Sequence, residues 1–389
     1  MHHHFDSVQP IDGITVESTQ VEANETVTVR LLTRAQFTSD SPEFHIYSER
    51  FCGLFLYPKN IFIDSVSQFL VVIHADQTAD LYVNDFPVTI EVTPKKDMNL
   101  GEILMLSDIA DTRKVSFPSV SISETDKIIY CFKVGWRFGL FFDIATRTDI
   151  SNSEHSGEGE KLDIEGMKTS IGDIHRYLTY YSVFQIMASE PLFQELVKDG
   201  WFPFIEILSG EYKVLGEIYK NKLGFENRIG ETLNGFTETR VKKIIARWWT
   251  KPVFSEKKVI IEAGINAYLQ NTPDGYINSI KNLLTEIEGV LRRIYHIETG
   301  IGNGIKSHKL VSHITEKARQ KTGSNTTLFL PESFLEYLQN VVFANFDVEK
   351  GDFDLSRNSA SHGVASDEQY TRSRALQAIL ILDQIYYYT

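Results

Sequence analysis

Near residue 150 the hydrophobic pattern of this chain changes its period, and that change limits the architectures open to it. Before it, β-branched and aromatic residues alternate with polar ones, as at residues 26–31 and 80–84, with turn residues between short runs. Residues 43–47, 69–74, 88–92 and 127–144 are further strand candidates. Many short strands at this spacing predict an antiparallel β-sandwich or partly open, barrel-like domain over residues 10–150. Within it, residues 134–143 (VGWRFGLFFD) are the most aromatic run of the chain. Such a run can form a recognition surface, although a buried strand with glycines at a bend is the commoner use. Residues 151–161 (SNSEHSGEGEK) are small, polar and acidic, and are expected to form a linker or mobile loop.

From Asp163 onward the apolar period shifts toward 3.6. Tyr177, Tyr180, Tyr181, Phe184 and Met187 recur at helical spacing, which predicts a helix over residues 174–187. The turn at residues 200–204 (GWFPF) fits a packing hinge. A helical connecting region over 162–254 and an all-helical domain over 255–389 follow, giving an α+β multidomain protein. In the last domain helices are expected at 260–269, at 275–297 and at 307–321. A fourth should begin at Pro331 and a fifth at Ser366, where Gln369 completes a capping-box pattern.

With 42% hydrophobic residues in 389, the chain can bury more than one core. Its net charge of -13 excludes a surface that binds polyanions everywhere, so any nucleic-acid site must be a local basic patch. Two stretches qualify. Lys242, Lys243 and Arg247 lie beside Trp248 and Trp249, a mixture that can contact phosphates and stack bases; the alternative is an amphipathic helix that ends at Pro252. Lys306, Lys309, Lys317, Arg319 and Lys321 form the second and better patch, for which a solvated helix face is the commoner explanation. Cys52 and Cys131 lack the spacing of a zinc site and fit reduced core residues of a cytoplasmic protein. No stretch approaches the roughly 18 to 20 apolar residues of a membrane helix, and the start of the chain lacks the apolar core of a signal peptide. The glycines at residues 300–304 follow a helix and have no phosphate-loop lysine, and no metalloprotease helix motif or calcium loop occurs, so no metal or cofactor is expected.

The residues most suggestive of chemistry are 357–363 (RNSASHG), just before the last amphipathic stretch. A permanent cation, an amide and a group that titrates near neutrality fall in one short turn. On an unbroken helix Arg357 and His362 would point about 140° apart, so they could not share a substrate. Two routes remain: a break at Gly363 lets His362 leave the helical path, or Arg357 of one chain meets His362 of another across a two-fold axis. The imidazole of His362 suits proton transfer at an RNA 2′-hydroxyl or a leaving 5′-oxygen. Arg357 suits a phosphate, and Asn358 can orient either group.

The segment 356–363, late in an all-helical domain, resembles the HEPN superfamily, whose motif is arginine, a polar residue, and histidine after four to six positions. Residues 276–292 similarly look like the helix that precedes this motif in bacterial HEPN proteins, and the arrangement of the whole is similar to the ApeA-like HEPN proteins of anti-phage defence. The resemblance covers residues 255–389. It implies a metal-independent endoribonuclease with Arg357, Asn358 and His362 at its site, leaving a 2′,3′-cyclic phosphate and sparing DNA. It also implies RNA as partner and a homodimer through the C-terminal helical domain; the β domain, which the resemblance does not cover, is expected to act as a sensor of an unidentified ligand, in anti-phage defence or abortive infection. Some HEPN-like proteins bind without cutting, so a dimeric RNA-binding or scaffold protein stands as the alternative.

Overall fold

The computed structural model describes residues 14–16, 29–31, 34–144, 146–148, 161–322, 326–346 and 354–389, the three shortest stretches at the level of backbone only. The proposed linker at 151–160 and the first three residues of the strand candidate at 26–31 lie outside the described residues. Two compact units are present: Met1–Thr93 with Thr112–Tyr181, and Pro94–Asp111 with Ser182–Thr389. One is built on antiparallel sheet and the other is mostly helical, so the protein is α+β.

In the first unit, β1 (Ile14–Val16), β2 (Val29–Leu31) and β10 (Thr146–Thr148) form a three-stranded antiparallel sheet. The larger sheet has five strands: β3 (Arg34–Thr38), β4 (Gln68–Ile73), β5 (Ala79–Val83), β8 (Lys127–Val134) and β9 (Arg137–Asp143). Their order is β3-β9-β8-β4-β5, antiparallel throughout. β6 (Thr89–Pro94) and β7 (Ile109–Ser116) pair in a separate two-stranded ribbon.

The pleat sorts the central strands onto two faces, because successive side chains point oppositely. Phe69, Val71, Ile129, Cys131, Leu140 and Phe142 pack on one face with Phe44, Phe51 and Cys52 of α1 (Pro42–Phe55). Leu70, Val72, Ile128, Tyr130, Phe132 and Phe141 pack on the other with Met167, Ile171, Ile174 and Leu178 of α2 (Ile164–Thr179). α1 covers one face, and α2 covers the other together with Phe86, Phe117 and, from β7, Val115. The expectation of a strand at 43–47 is corrected accordingly. Its local alternation is overruled by Pro42 at the first helical turn and by burial of Phe44, Ser48, Phe51 and Cys52, a helical spacing in which Ser48 hides the apolar face. The helix expected over 174–187 likewise divides at Tyr180 into α2, capped by the Asp163 carboxylate at 2.9 Å, and α3 (Tyr181–Ala188).

The second unit continues with α4 (Glu190–Lys198), α5 (Glu211–Lys220), α6 (Phe225–Asn234), α7 (Glu238–Ala246) and α8 (Pro252–Ser255). Pro252 opens α8 rather than merely ending what precedes it, since a first-turn residue needs no N–H. Then come α9 (Lys258–Leu269), α10 (Pro273–Thr299), α11 (Ser307–Thr322), α12 (Pro331–Tyr337), α13 (Arg357–Ser361) and α14 (Arg372–Tyr388). The last of these starts later than Ser366 suggested. The Gln369 side chain does accept from Ser366 N–H at 3.2 Å, but on a single 3-10 turn, and Thr371 then caps α14.

α14 is buried on every side, so it is the axis of its unit. Leu376, Ile379, Leu380, Leu382 and Ile385 supply apolar contacts, while three polar residues on the same helix are buried as well. Gln377 donates to Asp199 O at 2.8 Å. Gln384 accepts from Ile205 N–H at 3.0 Å and donates to Phe329 O at 3.0 Å. Asp383 accepts two bonds from Arg247, at 3.1 and 2.7 Å, and one from the Trp248 indole at 2.7 Å.

Candidate functional site

The five residues of α13 are fixed at both ends by backbone chemistry. Ser356 caps the helix and Ser359 returns the bond, with Ser359 N–H to Ser356 Oγ at 3.1 Å and Ser356 N–H to Ser359 Oγ at 2.8 Å. The Ser356 hydroxyl also donates to Ala344 O at 3.0 Å, and Ser359 is fully buried. At the other end Gly363 adopts φ 70°, its N–H reaches Ala360 O at 3.3 Å, and Val364 N–H reaches Ser359 O at 3.1 Å. This is a Schellman closure, and it requires the left-handed conformation that glycine adopts without strain.

That closure decides the position of His362. It remains right-handed at φ -85° and ψ -1°, with its N–H on Asn358 O at 3.1 Å, so the helical path breaks one residue after it. The expectation that His362 swings out at the break is therefore corrected, and no described hydrogen bond or ion pair joins it to Arg357. Its imidazole is exposed and lies 5.5 Å from the Phe346 ring, centroid to centroid.

Arg357 instead faces α10. Its Nη2 lies 2.6 Å from Glu288 Oε2, and Arg292 holds the other oxygen of the same carboxylate at 2.6 Å. Nη1 of Arg357 donates to Asn358 Oδ1 at 3.3 Å, while Nε is buried without a hydrogen-bond partner among the described residues. The Asn358 amide is tied down by donation to Phe343 O and Ala344 O, both at 3.1 Å. Two guanidinium groups share one carboxylate, so Arg357, Arg292 and Glu288 together carry a net charge of +1. Glu288 was not among the sequence candidates for the site. The available signal was the helical spacing of Glu288 and Arg292, which places an acid and a base on one face.

The two basic stretches are largely occupied by acids and carbonyls of the chain itself. Arg247 is 13% exposed and bridges Asp383 and Glu206, and Trp248 is fully buried, so neither presents a free surface to a nucleic acid. Lys242 pairs with Glu238 at 2.5 Å; Lys242 and Lys243 are exposed. On α11, Lys317 pairs with Glu298, Arg319 with Glu316 at 3.1 Å and with Glu332, and Lys321 donates to Tyr387 O at 2.9 Å. Lys306 and Lys309 are exposed. The Lys251 ammonium donates to Tyr386 O at 2.7 Å; burial and then the Lys321 and Lys317 charges pull its pKa down to about 7.

Cys52 and Cys131 are free thiols in the core of the first unit. Among the described residues no three histidine, cysteine, aspartate or glutamate side chains are grouped to hold a metal ion, and no helix is long and apolar enough to cross a membrane. No protein-family model, curated protein or solved structure matches the chain.

Proposed function

We propose that the C-terminal helical domain is a metal-independent endoribonuclease of the HEPN type, acting as a homodimer in which His362 of one chain serves a phosphate held by Arg357 of the other. The observation that carries this reading is the separation of roles on α13: an exposed imidazole at one end, and at the other an arginine in a cluster of net charge +1. Because His362 stays on the helical path, one chain alone does not aim both groups at a common phosphate. A two-fold axis resolves that geometry. His362 would take the 2′-hydroxyl proton as the oxygen attacks phosphorus, and the 5′-oxygen would leave with a proton returned to it, giving a 2′,3′-cyclic phosphate. Arg357 would stabilise the charge developing on the phosphoryl oxygens, with Asn358 orienting the guanidinium. The sheet unit would then be the sensor that releases this activity during phage infection.

A second reading has its own support. The ion pair of Arg357 with Glu288 engages the guanidinium within the chain, as a non-catalytic RNA-binding or scaffold dimer would have it. One comparison separates them: wild type and His362→Ala are incubated with total RNA and with DNA of matching sequence, in the presence of chelator. Cleavage of RNA alone by the wild type, and at least a hundredfold loss in the variant, is the expected outcome. Equal cleavage by a folded variant removes the proposed mechanism.

A further inference from the structure

We propose that the tip of the β8–β9 hairpin in the first unit is a stacking platform for the bases of single-stranded nucleic acid, with Trp136 as the contact ring. The proposal goes beyond the ribonuclease reading, since it uses only residues of the sheet unit and holds whether or not the chain cuts.

The hairpin register pairs Val134 with Arg137, leaving Gly135 and Trp136 as a two-residue turn. Gly135 has φ 62° while Trp136 has no positive φ, the pattern of a type II′ turn. Such a turn requires its glycine, and its second position is ordinarily a small polar residue. Folding of the hairpin therefore does not call for an indole there. The ring adds little to the core either, being 69% exposed, whereas Leu140, Phe141 and Phe142 of the same strand are fully buried.

A single exposed apolar residue is unremarkable in itself. What sets Trp136 apart is that its ring is held in place by a cation. The Arg137 guanidinium carbon lies 3.8 Å from the Trp136 ring centroid and 3.3 Å from that of Tyr181. Arg137 is steadied by Asp40 at 3.5 Å, and Tyr181 donates to the same carboxylate at 3.4 Å and meets Tyr177 edge-on at 5.7 Å. One face of the indole thus rests on a fixed column while the side chain stays mostly exposed.

The column also selects the chemistry of a ligand. A guanidinium beneath the indole draws electron density from the ring, which disfavours a second cation on the outer face. A planar aromatic system stacked in offset register is favoured instead. If that ring carries a phosphate, the exposed Lys133, which lies across from Phe138 on the same hairpin with its ammonium 5.5 Å from the Phe138 ring, supplies the matching charge. A nucleotide within a single strand combines these properties, whereas in a duplex the base faces are already stacked.

The test uses the full chain carrying His362→Ala, so that RNA is not consumed. Fluorescently labelled octauridylate, octathymidylate and a short RNA duplex are titrated, reading anisotropy, with and without Trp136→Ala. Both single strands should bind better than the duplex, and Trp136→Ala should weaken them about five- to a hundredfold while Trp136→Phe retains part of the affinity. Binding of octauridylate alone would still support stacking and add a contact to the 2′-hydroxyl. Equal affinities of the parent and a Trp136→Ala variant with unchanged thermal midpoint would overturn the proposal. So would failure of both single strands to bind while a proline-rich peptide binds through Trp136. Loss of RNA cleavage by His362→Ala is scored separately, so either reading can fail alone.

Discussion

The core of the five-stranded sheet and the surroundings of α14 use polar residues in opposite ways. On the sheet, alternation sends every second residue to one of two covered faces, and the central strands fill both with aliphatic and aromatic side chains. α14 has no solvent face along most of its length, so its polar residues are carried inside and must find partners there. Arg247 and Asp383 meet these demands mutually, and Glu206 extends the network to Arg247 at 2.9 Å and to Arg240 at 3.4 Å. Burial pushes the Asp383 carboxyl upward, as does Glu206, while Arg247 opposes both. Lys95, 6% exposed, sits in the same electrostatic environment, and burial lowers its pKa. The first core tolerates changes of shape within limits, and the second depends on keeping partners together.

Breaking the ionic network should have the largest effect. Asp383→Leu removes one of the two carboxylates that hold the buried Arg247 charge, together with the acceptor of the Trp248 indole, and is expected to cost about 3–5 kcal/mol in denaturant unfolding. Pairing it with Arg247→Met should recover much of that loss, and a double variant no more stable than the single one would show that the network is not what holds α14. In the sheet, Phe142→Ala removes a buried ring that meets Phe37, Tyr47 and Phe51, and should cost about 3 kcal/mol. A loss under about 1 kcal/mol would indicate that α1 collapses into the space and that the sheet core is looser than its packing suggests.

Two histidines of the sheet unit give smaller effects of opposite sign. The protonated His74 ring donates to Asp126 at 3.0 Å and to Asp80 at 3.2 Å, and these bonds raise its pKa. Its stabilisation is fully present below the ordinary value of about 6.5 and is lost as pH rises through the raised one. His175 stacks on Phe132 at 5.9 Å, and burial, with the Arg176 charge beside it, pulls its pKa down to about 4. The unfolded chain takes up that proton first, so stability falls as pH drops from about 6.5 toward 4. Midpoints of thermal unfolding against pH should therefore change in opposite directions for His74→Gln and His175→Phe. Parallel profiles would sink the assignment.

Much of the fold was legible before any coordinates. β4, β5, β8 and β9 follow from short runs of β-branched and aromatic residues, and α9, α10 and α11 from apolar residues three and four apart. Residues 43–47 misled because five residues are too few to separate the two periods, and the evidence for α1 lies in Phe51 and Cys52 beyond them. The candidate site was legible as a spacing of Arg357 and His362, but not as a geometry. Nothing in that spacing announces that Glu288 will lie 2.6 Å from Arg357, or that the Schellman closure will keep His362 on the helix.

By itself the sequence determined where the period changes, where the central strands and the long C-terminal helices form, and that an arginine and a histidine end one short turn. These are local properties, set by backbone geometry and by side-chain order along a few residues. Only the tertiary structure decided that α1 and α2 pack on opposite faces of the sheet, that Arg247 and Trp248 turn inward to Asp383, and that Trp136 rests on a cation. Those outcomes depend on which distant groups share a desolvated space, and burial makes a charge seek its partner wherever the chain has placed it.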